Sequence, residues 1–382
     1  MSKASMNEHP LMSESEGIPL FYPYVPEAGK KSVSETLSTR WIGQGPKVDI
    51  FEKKLKEKFA PEQEVVAVGS GTDALHLAYL LAGIQKDDEV IVPVFTCTAT
   101  NIPLMYIGAK IKFIDVDRNT LNINVDDIEE KITKKTKAIV CVDYGGYPCD
   151  YRKLRQICDK YNLKLISDAA HSIGTKYGDV YSISYADFTI FSFQAIKTIT
   201  TGDGGCLFIK DKSLLNKAKR LRWFGIDREA KQGGVWENDI KDIGFKYQMN
   251  DIAASLGIAG LDEFDKIAAH RKKLFEIYKE QLSKNSNIKI IPNINIQDDF
   301  VPWLITIITD DRVNLMNYLR DNKIESAQVH YRNDRYSIFS EEKINFKNMD
   351  ELEDKYLVLP LYYALKEELV EHICKKINEF FN

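Results

Sequence analysis

The sequence has no apolar run approaching the roughly 18–20 residues that would span a bilayer, so a membrane-embedded protein is not expected. Its six cysteines (97, 141, 149, 158, 206 and 374) form no CxxC pair and no metal-ligand spacing. Together with six scattered histidines, this argues against a disulfide framework or a metal centre and for a reduced, cytoplasmic setting. No Lys/Arg cluster stands out and the formal net charge is −4, which gives no reason to expect a nucleic-acid partner. Repeats and low-complexity linkers are absent. So are the Walker loop and the GxGxxG spacing. The opening MSKASMNEHPLMSESEG lacks an apolar core, so it is expected to be a polar, mobile tail over residues 1–17 and not a secretory signal.

What is present is an ordinary globular composition, 44% hydrophobic and 28% charged over 382 residues, enough for one large domain and a smaller one. Short β-branched runs at 89–94, 109–116, 137–144, 163–168, 187–193 and 205–210 read as buried strands. Helical patterns fall at 74–84, 125–132 and 150–162, the last with Leu154, Ile157, Cys158 and Tyr161 at helical spacing. Such alternation predicts an α/β domain with a mainly parallel sheet. From about residue 270, charged helical stretches and a few short strands predict a second, α+β domain. The expected division is 18–265 and 266–382.

In open α/β sheets, ligands sit beyond the carboxyl ends of the strands. Three features converge on that rim. GSGTDALHLA (69–78) turns into a helix, where the amides of Gly71, Thr72 and Asp73 form a ready anion site or simply a capped helix start. SDAAHSIG (167–174) ends a strand on Asp168, with small Ala170 and then His171; a loop aspartate and a structural histidine are the plainer alternatives. FSFQAIKTITTGDGG (191–205) sets Lys197 in apolar surroundings, which lower an amine's pKa and make it a nucleophile toward carbonyls, unless it merely reaches out to solvent. A phosphate cradle, an acid and a lysine in this order are what pyridoxal 5′-phosphate (PLP) requires.

These three segments, with WIGQGPKVDIFE (41–52) and YQMNDIAASLGIAGL (247–261), resemble the DegT/DnrJ/StrS group of sugar aminotransferases from about residue 18 to the C-terminus. The resemblance implies the PLP-dependent transferase fold type I, with a large domain built on a mainly parallel seven-stranded sheet and a small C-terminal α+β domain. It implies that Lys197 holds the cofactor's aldehyde and then moves the proton, and that Asp168 pairs with the ring nitrogen. Ala170 would pack on the ring, His171 would meet the phenolic oxygen, and Ser192 with the amides at 71–73 would hold the phosphate. A homodimer with shared active sites is implied, the segment 244–251 reaching the neighbour's cofactor. L-glutamate and a nucleotide-linked keto sugar are the implied substrates, in the making of amino sugars for surface glycans such as O-antigen.

Three departures stand out. Cys97 takes the position where an aromatic usually stacks on the ring. Lys246 replaces the usual asparagine. VHYRNDRYSIF (329–339) lacks the usual proline-leucine-histidine pattern, which leaves His330 and Arg332 as candidate sugar contacts. Trp41, Tyr22 and Trp223 are candidate aromatic contacts, with core or interface packing as the alternative. A dehydratase branch carries histidine in place of the lysine, so Lys197 favours amino transfer. DAAH resembles the 4-keto enzymes more than the 3-keto ones. Another PLP reaction, a non-catalytic PLP-binding regulator, and a cofactor-free nucleotide-binding module are the alternatives.

Overall fold

The computed structural model describes residues 17–237, 239–294, 298–340 and 344–382. The tail expected over 1–17 lies outside the described residues, apart from Gly17. Strands β1 (Glu64–Val68), β2 (Glu89–Pro93), β3 (Lys110–Ile114), β4 (Thr136–Val142), β5 (Lys164–Asp168), β8 (Phe188–Ser192) and β9 (Gly205–Ile209) form one seven-stranded sheet, ordered β1-β9-β8-β5-β4-β2-β3. Neighbours run parallel from β3 through to β8, and only β9 is reversed. A two-stranded hairpin, β6 (Lys176–Tyr177) and β7 (Val180–Tyr181), precedes β8. The fold is the α/β class expected. One strand, EVVAV of β1, is not among the sequence-based candidates.

The helices are α1 (Glu27–Leu37), α2 (Pro46–Phe59), α3 (Gly71–Leu81), α4 (Thr98–Ile107), α5 (Tyr151–Tyr161), α6 (Leu215–Arg222), α7 (Arg228–Gln232), α8 (Asp251–Asp262), α9 (Phe264–Leu282), α10 (Arg312–Asp321), α11 (Lys347–Leu352) and α12 (Glu367–Phe381). The sheet is covered on both faces, which is why its strands read as unbroken apolar runs. On one face α3 buries Ala74, Leu75, Leu77 and Ala78 against Val66, Val90, Val92 and Ile190. On the other, α2 and α8 bring Phe51, Leu55 and Ala254 onto Phe191, Phe193 and Phe208. Gly257 lets them approach: a Cβ there would stand 2.6 Å from the Phe51 ring. The stretch 125–132 forms two short 3-10 turns and no helix, with Val125 and Ile128 buried. Four acids crowd these eight residues, and the Asn124 amide donates to Asp127 at 2.7 Å, a local bond that favours a turn over a helix.

Beyond α9, strands β10 (Lys289–Ile291), β11 (Ile305–Ile308) and β12 (Tyr356–Leu359) make an antiparallel sheet. It packs with α9, α10 and α12 around Leu274, Tyr278, Leu315, Leu357 and Ile373. Ile18 joins this C-terminal cluster and bridges Ile324, so the chain's first described residues lie against its last elements. Tyr22 packs with Tyr362 at 6.1 Å between centroids. No helix of the described residues is long and apolar enough to cross a membrane.

Candidate active site

Asp168 is the last residue of β5 and is buried. Its Oδ2 accepts the Thr100 hydroxyl at 2.7 Å, and its Oδ1 accepts the Ala170 N–H at 3.2 Å. The Thr100 proton is thereby committed, so the hydroxyl of Thr96, 2.8 Å away, donates to Thr100 in turn. Burial raises the Asp168 pKa; Thr100, Ala170 and the charge of Lys197 oppose that shift. Each carboxylate oxygen keeps a lone pair for a further donor.

Lys197 follows β8 in a turn closed by its own N–H on the Gln194 carbonyl (2.9 Å). The residue is half-buried as a whole, but its amine is enclosed and lies 3.6 Å from the centroid of the Trp303 ring. Burial lowers its pKa from the ordinary 10.5 to about 8; Asp168 and Cys97 raise it and Arg271 lowers it further. Cys97 is exposed at the start of α4 and so lies within electrostatic reach of this amine.

Helix α3 begins at Gly71, and its cap is Ser70, whose hydroxyl accepts the Asp73 N–H at 3.0 Å. The Asp73 amide is therefore taken, and those of Gly71 and Thr72 are the ones that the helix leaves unpaired. A Cβ on Gly71 would fall 3.0 Å from the Ser192 Cβ and 3.3 Å from its hydroxyl oxygen, so Ser192, ending β8, faces this cradle. Burial raises the Asp73 carboxyl to about 6. Asp168, Lys197 and the amide cradle with Ser192 share the rim at the ends of β5, β8 and β1, as the sequence implied.

His171 is buried against Trp303, centroids 3.9 Å apart. Its Nε2 lies 3.4 Å from that of His330, and its Nδ1 receives the Gly145 N–H at 3.4 Å. The segment carrying His330 is clamped to the sheet's rim: Asn333 N–H donates to the Val94 carbonyl (2.7 Å) and its amide donates to that of Thr96 (2.7 Å).

Other candidates fall elsewhere. Arg332, offered as a sugar contact, is fully buried. Its guanidinium binds Asp334 through two nitrogens (2.7 and 2.9 Å), Glu353 at 2.9 Å, and Asp350. With its donors spent on three carboxylates, it is an internal clamp. Lys246 is exposed, its backbone bridging Trp223 and its amine 5.3 Å from the Phe224 ring. It makes no described contact with Asp168, Ser192 or Lys197 of its own chain. Trp41 and Trp223 line a polar cavity of about 470 Å³ with Arg222, Arg228 and Glu52. Neither Asp168 nor Lys197 lines that cavity, so Trp41 stands apart from the amine.

Trp303 was not singled out from sequence. It sits in VPWLITI, where a tryptophan ahead of a strand reads as core.

The site fits PLP. It offers an enclosed amine with a lowered pKa, a buried carboxylate with lone pairs to spare, and a glycine-lined amide cradle closed by a hydroxyl. A family model described as the DegT/DnrJ/EryC1/StrS aminotransferase family matches residues 24–378. The GDP-perosamine synthase of Escherichia coli O157:H7 is 35% identical over 370 residues, covering 96% of this chain and 99% of that protein. Among solved structures, the sugar aminotransferase CalS13 from Micromonospora echinospora superposes with a TM-score of 0.89 at 28% identity, covering 95% of this chain and 99% of its own. The PLP-form of Spr1654 from Streptococcus pneumoniae gives 0.88 at 27% identity, covering 95% and 98%.

Proposed function

The chain belongs to the DegT/DnrJ/EryC1/StrS aminotransferase family, and we propose that it moves an amino group from L-glutamate to a nucleotide-linked keto sugar in amino-sugar biosynthesis. A 4-keto-6-deoxy sugar is the first acceptor to test and a 3-keto sugar the second. GDP is the first carrier to test, since a relative 35% identical is a GDP-perosamine synthase. One observation carries the reading. Lys197, on the rim, is an enclosed amine with a pKa lowered to about 8, next to a buried carboxylate.

When bound, PLP supplies an aldehyde that links to amines and a conjugated ring that takes up the electron pair of a C–H bond. Lys197 provides the rest of the proton chemistry. Near neutral pH an amine with this pKa exists in both forms, so Nζ can accept a proton and return it. Asp168, held by Thr100 and Ala170, fixes a negative charge beside it. The amides of Gly71 and Thr72 with the Ser192 hydroxyl would hold the phosphate.

A homodimer is part of the proposal. Phe224, Val235, Trp236, Ile240 and Ile243 are exposed in one stretch of chain, more apolar surface than a solvated loop normally shows. Sedimentation should therefore give twice the chain's mass.

The test is a single turnover with L-glutamate and no sugar. The wild-type holoprotein should release one 2-oxoglutarate per chain, and Lys197→Ala none. A panel of nucleotide 4-keto and 3-keto sugars, with product identified by mass and NMR, then names the acceptor. Release of ammonia or of a dehydrated sugar, without 2-oxoglutarate, would point to another PLP reaction.

A further inference from the structure

The rings of His171 and His330 lie nearly parallel, their planes 3° apart and their Nε2 atoms separated by 3.4 Å. Two ring nitrogens at that distance attract only if one carries a proton and the other a lone pair. Both rings are neutral. Burial and then the charge of Lys197 push the His171 pKa well below the usual histidine range, and the same two causes lower that of His330 to about 3.

The direction of the bond follows from the main chain. Gly145 N–H points at His171 Nδ1 at 3.4 Å. A backbone N–H can only donate, so Nδ1 carries the lone pair and the single ring proton of His171 is on Nε2. That proton faces His330 Nε2, which accepts it; the proton of His330 is then on Nδ1. The Val329 backbone hydrogen-bonds the His330 ring and raises its pKa, as a carbonyl accepting that second proton would. The anchor itself is fixed. Tyr356 donates its hydroxyl to the His330 carbonyl, and Asn333 ties the segment to Val94 and Thr96.

We infer that His330 is a positioning residue: by accepting the Nε2 proton that the Gly145 contact leaves on His171, it holds that ring against Trp303 beside Lys197. With one nitrogen bonded to Gly145 and the other to His330, His171 would exchange its His330 bond to donate to a cofactor's phenolic oxygen. The inference rests on the PLP-site reading for its consequence, but not for its geometry.

The test reads tautomers directly. The six histidines of the chain allow long-range proton–nitrogen spectra of the labelled full-length protein, without cofactor and after loading with PLP. His171 is expected as the Nε2–H tautomer at neutral pH. His330→Gln, whose amide oxygen can accept the same proton, should preserve that signature and the absorbance maximum of the PLP-loaded protein. His330→Leu, with no acceptor, should shift the His171 Nε2–H signals, as the proton loses its partner, and shift the maximum. A wild-type His171 protonated on Nδ1, or His171 signals in His330→Leu identical to wild type, would overturn the inference. Should His330→Leu not fold, the wild-type tautomer and the glutamine variant still decide. Release of 2-oxoglutarate from glutamate tests the function separately, so the two can fail independently.

Discussion

The amine of Lys197 stands 3.6 Å from the centre of the Trp303 ring, and the indole N–H of that tryptophan donates to the carbonyl of Ile196 at 2.9 Å. The residue before the lysine thus helps aim the ring that the lysine lies against. An aromatic face attracts an ammonium ion, while exclusion of water destabilises it. Here the second effect wins, since the pKa falls to about 8.

Capture of PLP by the cofactor-free protein, trapped with borohydride, should therefore rise with pH along a titration centred near 8. The neutral amine is the reacting form, and it predominates above that pH. A midpoint near the ordinary 10.5 would refute the enclosed-amine reading. Stability carries the same signature. Between pH 8 and 10.5 the unfolded chain holds a proton here that the folded chain has lost, so stability contributed at this position rises with pH across that window. Below 8 the full cost of the buried charge is present. Urea titrations of wild type and Lys197→Met should differ in slope over that range.

Asp168→Asn keeps an oxygen for the Thr100 hydroxyl and removes the charge. The carboxylate raises the Lys197 pKa, so the capture midpoint should move below the wild-type value. Loss of a fixed charge at a developing charge typically costs about 10²–10³ in rate, and the glutamate single turnover should slow by that order. An unchanged midpoint and rate would remove Asp168 from the site.

Gly71→Ala places a methyl 3.0 Å from the Ser192 Cβ and 3.3 Å from its hydroxyl oxygen. Such a contact is tight but relieved by a few tenths of an ångström, so the protein should fold while the cradle is distorted. PLP affinity should drop, and inorganic phosphate should protect the variant less against heat than it protects wild type. Equal protection would mean that the phosphate is held elsewhere.

The chemistry of the rim was legible in sequence because it rests on local signals: an acid ending a strand, a glycine turn entering a helix, and a lysine among apolar residues. Asp168, Ser192 and Lys197 come together because parallel strands end on one side. What was not legible depends on contacts between residues 68 to 159 positions apart. Thr100 reaches Asp168 from another βα unit, Trp303 reaches Lys197 from the C-terminal half, and His330 meets His171 across 159 positions. The 125–132 stretch failed differently, since its apolar spacing suits a helix but its acids and the Asn124–Asp127 hydrogen bond favour turns.

Arg332 shows the same limit most sharply, because a basic residue beside a substrate-like motif reads from sequence as a contact. Its side chain and that of Asp334 are both fully buried, with Asp350 and Glu353 on the same guanidinium. Burial works against the cation, yet its hydrogen bonds to Asp334 and Asp350 outweigh it and raise the arginine's pKa. Arg332→Met should thus leave a buried carboxylate unpaired and cost about 3–5 kcal/mol of stability, the usual penalty for breaking one side of a buried pair. The double variant Arg332→Met, Asp334→Leu should recover part of that loss, since neither charge is then stranded. Urea unfolding measures both, and for the molecules that remain folded the sugar KM should match wild type. Wild-type stability with a raised KM would return Arg332 to the substrate site.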